Sequence, residues 1–180
     1  RQKNVLEHAE TLLMLPDYFN YLLTGIKKQE FTNATSTSLV NAFTKDWDET
    51  LIEAMGFPKK IFSKISQPGT KVGHFSEEIK DKVGFDCEVI MCASHDTASA
   101  FLSVPQEKNE KSIILSSGTW SLMGVILDES LISPLSEKLN FTNEGGAGHS
   151  VRFLKNIPGM WIIQSLSKEF NITDPDFAMN

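Results

Sequence analysis

The sequence predicts an α/β chain that passes from one domain into a second near residues 104–111. Three observations predict this. Helical apolar patterns dominate the first hundred residues, and "CEVIMCASHD" carries their strand signal. The stretch "VPQEKNEK" (104–111) then gathers a proline and four charges, the composition of a connector. Beyond it, two β-rich runs flank Ser117-Gly118-Thr119, which is a hairpin signal.

The elements follow in order. Residues 3–14 read as a helix on Val5, Leu6, Leu12 and Leu13. Pro16 suits the first turn of a second helix that ends at Gly25, with Phe19, Leu22 and Leu23 on one face. "FTNATSTSLVNAF" (31–43) reads as loop first and helix after. "DWDETLIEAMG" opens on acidic residues, which favour a helix N-terminus, and stops at Gly56. "FPKKIFSKI" is a short further helix and "QPGT" a turn. Ser76 caps a helix that ends at Gly84, and a strand follows over Glu88–Ala93. In the second half come the hairpin (112–127), the polar stretch "NFTNEGGAGHS", and a helix opened by Pro158 with Trp161, Ile162 and Leu166 on its apolar face.

Composition excludes several classes. Hydrophobic residues make up 41% of the 180, enough for a packed core. A net charge of −6 gives no reason to expect nucleic acid or an anionic membrane as partner. No apolar run approaches the ~18 residues of a membrane span, and no signal peptide is visible, so the expected compartment is the cytoplasm. Cys87 and Cys92 fit no C-x-x-C spacing and are expected as reduced, buried thiols. The sequons at Asn33, Asn140 and Asn171 are read as chance matches, and Trp47, Trp120 and Trp161 as packing residues. The chain starts at Arg1 and runs directly into a helical pattern, as a piece of a longer protein would.

The chemistry concentrates at Ser94-His95-Asp96, where an apolar strand gives way to small residues. Ligands of open α/β sheets sit at the carboxyl ends of strands. A carboxylate there can take a proton from a substrate hydroxyl. Equally, Asp96 can simply cap the helix that follows. Three consecutive side chains point in different directions, so "SHD" is not a hydrolytic triad. "SSGTWS" (116–121) can aim backbone N–H groups and the Thr119 hydroxyl at a phosphate. A carboxylate base facing such a turn suits phosphoryl transfer. "NEGG" (143–146) and His149 carry no assignment of their own.

Seven stretches together resemble the FGGY carbohydrate kinase family: "LPDYFNYLLTG", "TNATSTSLVNAFTKDWD", "QPGTKVG", "ASHDTASAFLSVP", "SSGTWSLMGV", "NFTNEGG" and "LKNIPGMWIIQ". The resemblance runs from about Leu12 to Phe170. "ASHDTASA" and "SSGTWSLMGV" resemble the members that act on L-rhamnulose. The resemblance implies a ribonuclease H-like (actin-like ATPase) fold of two domains around a cleft, both incomplete here. Residues 1–106 would be the later part of the sugar-binding domain and 107–180 the start of the nucleotide-binding one.

It further implies ATP and Mg²⁺ as cofactors, and a small-molecule sugar as partner. L-rhamnulose would be converted to L-rhamnulose 1-phosphate. Asp96 would be the catalytic base, and His95, Asp96, Thr97 and Asn156 substrate-binding positions. Thr119 and Gln164 would bind the nucleotide, and no residue is assigned to metal. The family's first glycine-rich phosphate loop and its later adenosine segment have no counterpart in the 180 residues. The chain alone is therefore expected to be inactive, and an open sheet edge would suit a homodimer. The alternatives are an FGGY kinase of another ketose or polyol, or a non-catalytic sugar- or nucleotide-binding module.

Overall fold

The computed structural model describes residues 3–106, 112–118 and 120–172, with side chains from Leu6 onward. Helix α1 (Lys3–His8) is shorter than the pattern over 3–14 predicts. Residues 9–14 are extended because they have tertiary partners. Leu12 donates its N–H to Ile61 O (2.8 Å), and Gln29 Nε2 donates to Leu12 O (2.6 Å). Helix α2 (Leu15–Thr24) carries Pro16 in its first turn and ends at Gly25, whose φ of 74° places it in the left-handed region that glycine adopts without strain. Its predicted apolar face is only partly used. Leu23 packs on Val72, Val89 and Met91, while Phe19 and Leu22 are exposed among the described residues.

Strand β1 (Gln29–Glu30) runs directly into α3 (Phe31–Ala34) and a 3₁₀ turn over Thr35–Thr37. The predicted order, loop before helix, is reversed. The Glu30 carboxylate accepts N–H bonds from Thr32 and Asn33 and so starts the helix at once. Helix α4 (Glu49–Ala54) is capped by Asp48, which accepts from Leu51 N (3.0 Å). A 3₁₀ turn (Lys59–Ile61) replaces the predicted short helix, and β2 (Ile65–Ser66) follows, parallel to β1.

Next come β3 (Lys71–His74), α5 (Glu77–Val83) and β4 (Glu88–Ile90). Ser76 precedes α5, but its side chain makes no cap hydrogen bond. β3 and β4 pair antiparallel through a bulge between Lys71 and Gly73. β4 is shorter than the expected 88–93. Val89 and Met91 face the core, while Ile90 and Cys92 alternate to the exposed side. The two thiols are therefore free but exposed, not buried.

Helix α6 spans Asp96–Leu102. Beyond the connector come β5 (Ile114–Ser117), β6 (Trp120–Leu127), α7 (Pro134–Lys138), β7 (Thr142–Gly145), β8 (Val151–Pro158) and α8 (Met160–Glu169). The hairpin forms as predicted. Pro158 ends β8 rather than opening α8. α7 lies in "SPLSEKL", to which the sequence reading assigns no element, and starts on a reciprocal Ser133–Ser136 capping box. The sheet is antiparallel, in the order β5-β6-β8-β7.

Register and the two-residue period put Ile114, Ser116, Leu122, Gly124, Leu154, Asn156, Arg152 and Glu144 on one face. Helix α6 lies on that face, with Phe101 packed against Ile114 and Leu154. Of the tryptophans, Trp47 packs as predicted, edge-on to Phe62 at 4.9 Å, whereas Trp120 and Trp161 are exposed. Further bonds join the two halves. Gly145 N donates to Thr35 Oγ1 (3.0 Å), and Lys45 Nζ donates to the carbonyls of Asp128 and His149. Among the described residues no helix is long and apolar enough to cross a membrane.

Candidate active site

The segment that delivers Asp96 is held by a buried carboxylate distant in sequence. Glu30 accepts from Ser94 N (3.2 Å) and Ser94 Oγ (2.6 Å), and from Thr32 N, Thr32 Oγ1 and Asn33 N at 2.7–3.0 Å. Thr32 Oγ1 also accepts from His95 N (3.2 Å), and Ser99 Oγ donates to Ala93 O (2.6 Å). A carboxylate with this many donors tolerates burial, which an unpaired one would not. Behind it, fully buried Asp17 accepts the Glu30 N–H (3.3 Å). Burial, with the Glu30 charge adding to it, pushes the Asp17 carboxyl up to about 6.

Asp96 itself opens α6, and its side chain is 97% exposed. Its Oδ1 accepts from Thr97 N (2.6 Å) and Thr97 Oγ1 (3.3 Å). His95 Nδ1 lies 3.3 Å from the same oxygen but out of line for a hydrogen bond, and is otherwise unpartnered. The Asp96 carboxylate thus fastens the first turn through one oxygen. No described group bonds the other. The two roles open at the level of sequence, helix start and available base, are compatible in one side chain.

Asp96, His95 and Thr97 border an open cavity of about 650 Å³, within the range of small-molecule sites. The facing wall is the sheet: Ser116, Leu122, Asn156 and Glu144 project from it, and the hairpin turn at Ser117 and Gly118 forms one end. Four expected positions, His95, Asp96, Thr97 and Asn156, therefore meet at one cavity. Gln164 does not line it and sits exposed on α8. Thr119 lies outside the described residues. Among those residues no group of three or more His, Cys, Asp or Glu is arranged to hold a metal.

Glu144 and Arg152 carried no prediction. They face each other across β7 and β8, with Arg152 Nη2 3.0 Å from Glu144 Oε2. Arg152 is 1% exposed, donates from Nε to Gly145 O (2.9 Å), and sits 5.9 Å from the centre of the Phe101 ring. Burial lowers its pKa from the ordinary arginine value, while the charges of Glu144, Asp96 and Glu30 oppose that shift. "NEGG" was the only sequence signal for Glu144. For Arg152 there was none, because "VRFLKN" alternates as if Val151 and Phe153 faced inward and Arg152 faced water.

Residues 1–103 match the N-terminal domain of the FGGY family of carbohydrate kinases. The rhamnulokinase of Oceanobacillus iheyensis is 49% identical over 168 residues, which are 93% of this chain and 35% of that protein. That of Halalkalibacterium halodurans is 48% identical over 168 residues, 93% of this chain and 36% of that protein. The chain spans about a third of the length of these curated relatives. Among solved structures, a ligand-bound xylulose kinase from Lactobacillus acidophilus superposes with a TM-score of 0.76 at 21% identity, over 94% of this chain and 34% of that one. A gluconate kinase from the same organism gives 0.78 at 21%, over 98% and 35%. At that identity the superpositions show a shared fold.

Proposed function

The chain belongs to the FGGY family of carbohydrate kinases, and we propose that it forms part of an ATP-dependent kinase of L-rhamnulose. The observation that carries this reading is the meeting of Asp96, His95, Thr97 and Asn156 with the Ser117–Gly118 turn around one cavity. Identity near one half to proteins named rhamnulokinase supports the choice of sugar.

In the proposed reaction a sugar hydroxyl attacks the γ-phosphorus of ATP. The new O–P bond forms as the bond to the β,γ-bridging oxygen breaks, ADP leaves, and the hydroxyl proton passes to Asp96. His95, Thr97 and Asn156 hold the sugar. Ser116, Ser117 and Thr119 hold phosphate oxygens at the hairpin, and Gln164 contributes to the nucleotide side from α8. Bound with the nucleotide, Mg²⁺ would supply charge neutralisation at the phosphates. The hydroxyl and backbone groups at the hairpin suit phosphate oxygens.

On this reading residues 1–106 belong to the sugar-binding domain and 107–180 to the nucleotide-binding domain, with the cavity where they meet. Self-association as a homodimer is part of the same proposal, and light scattering that finds only monomer would remove it.

The test is a panel of ketoses and polyols offered with ATP-Mg to the protein that carries this chain at its natural length, following ADP release. L-Rhamnulose is expected to give the highest kcat/KM. A higher value for another ketose or polyol would reassign the substrate. Sugar binding without ADP release would leave a binding module and sink the kinase.

A further inference from the structure

We propose that Glu144 recognises a hydroxyl of the acceptor sugar and that Arg152 is its positioning residue; this rests on the kinase reading above. Two carboxylates border the cavity, and they are unlike. Asp96 is 97% exposed and stands at its rim, whereas the Glu144 side chain is only 16% exposed and recessed into the sheet wall. Glu144 Oε2 is buried against Arg152. Oε1 is not among the buried, unpartnered atoms, and no described residue donates to it. One oxygen is therefore held against Arg152, while the other, on a residue that borders the cavity, is bonded by no described group.

The pairing also decides what Glu144 is suited to bind. A bare carboxylate beside a phosphate-binding turn would repel the nucleotide. Arg152 cancels that charge from below, without itself lining the cavity. A carboxylate neutralised in this way is a weak base and a poor metal ligand, yet it still accepts hydrogen bonds from neutral hydroxyls. Its ligand class is therefore the polyhydroxylated acceptor.

Arg152 is fixed for this task. Nε donates to Gly145 O, its guanidinium lies near the Phe101 ring of α6, and it is cross-strand partner to Glu144. The Nη2–Oε2 ion pair at 3.0 Å keeps Oε2 against the guanidinium. Because α6 also begins with Asp96, one buried cation ties the recognising carboxylate to the helix that carries the base.

The test compares wild type, Glu144→Gln and Arg152→Lys in the full-length protein, with L-rhamnulose and its singly deoxygenated analogues. Glu144→Gln is expected to raise the sugar KM about ten- to a hundredfold, the loss of one charge-assisted hydrogen bond. The ATP KM should stay within about threefold, and kcat should fall far less than in Asp96→Asn. For the analogue lacking the recognised hydroxyl, the penalty of Glu144→Gln should vanish. Arg152→Lys keeps the charge but not the planar fork, and should raise the sugar KM in the same sense. If Arg152→Lys fails to fold, Glu144→Gln with the analogue series decides by itself. An unchanged sugar KM in Glu144→Gln, a raised ATP KM in its place, or an equal penalty with every analogue would overturn the proposal. Absence of any ketose turnover by the wild type would overturn the kinase reading and this inference with it, whereas normal turnover with an unaffected Glu144→Gln overturns only the inference.

Discussion

Asp96 is the side chain on which the proposed chemistry depends, and its exposure makes it easy to test. The Asp96→Asn variant keeps the size and one acceptor oxygen for Thr97 N, so the first turn of α6 should survive. It cannot take a proton. We expect kcat to fall about 10²–10⁴-fold with a much smaller change in sugar affinity; near wild-type turnover would leave Asp96 only as a helix starter. Asp17 gives a second prediction. Its carboxyl titrates near 6 in the fold, above the ~3.9 of an unfolded aspartate. The fold thus favours the protonated form. Its contribution is fully present below about pH 4 and is lost as pH rises through about 6. The loss is on the order of 2–3 kcal/mol, and Asp17→Asn should remove it. Urea unfolding at about pH 4.5 and pH 7.5 checks this, and equal pH dependence in variant and wild type would refute it. The sequence made Asp96 visible because a carboxylate after an apolar run is conspicuous. It did not reveal Asp17 or Glu30, which look like ordinary surface acids until their distant donors are known.

At the scale of elements, the hairpin and α8 are linked through Gly159. A Cβ there would lie 2.5 Å from Gly118 O and 2.7 Å from Ser121 Oγ, and Met160 N donates to Gly118 O (3.0 Å). Gly159→Ala must push the turn away from α8. We expect a stability loss of about 1–3 kcal/mol and, since the turn is proposed to hold phosphate, an ATP KM that rises more than the sugar KM. Steady-state kinetics with each substrate varied in turn checks this; a rise confined to the sugar KM would move the turn to the other side of the site. Elements with local signals were legible: α2 by Pro16 and Gly25, α4 by Asp48, the hairpin by its turn. β1 and β2 were not, because two-residue strands exist only through pairing between Gln29 and Ile65, far apart in the chain.

For the whole molecule, the chain's extent limits what it can do by itself. Phosphoryl transfer requires phosphates, metal and acceptor held in one alignment, and most of its acceleration comes from that alignment. These 180 residues correspond to about a third of the relatives' length. We expect them, purified alone with ATP-Mg and L-rhamnulose, to turn over below about 1 s⁻¹, the low end of the usual enzyme range. ADP release above that rate would show that the cavity between α6 and the four-stranded sheet is a sufficient active site.

The sequence by itself determined the α/β class, the position of the hairpin, the ends of α2, α4 and α5, and the candidate base. Each of these depends on residues within a turn or two of one another, so local sterics and capping decide them. The tertiary structure alone decided that Glu30 clamps Ser94, that the thiols are exposed, that Asn156 shares a cavity with Asp96 while Gln164 does not, and that Arg152 is buried beside Glu144. The placement of Asn156 and of Arg152 turns on which face of the four-stranded sheet receives α6. Val151, an apolar residue beside Arg152, is buried on its own face of β8, so burial on one face does not exclude burial on the other. Packing of Phe101 on Ile114 and Leu154 commits the opposite face to the helix, and carries Arg152 into the interior with Leu154, where Glu144 offsets its charge.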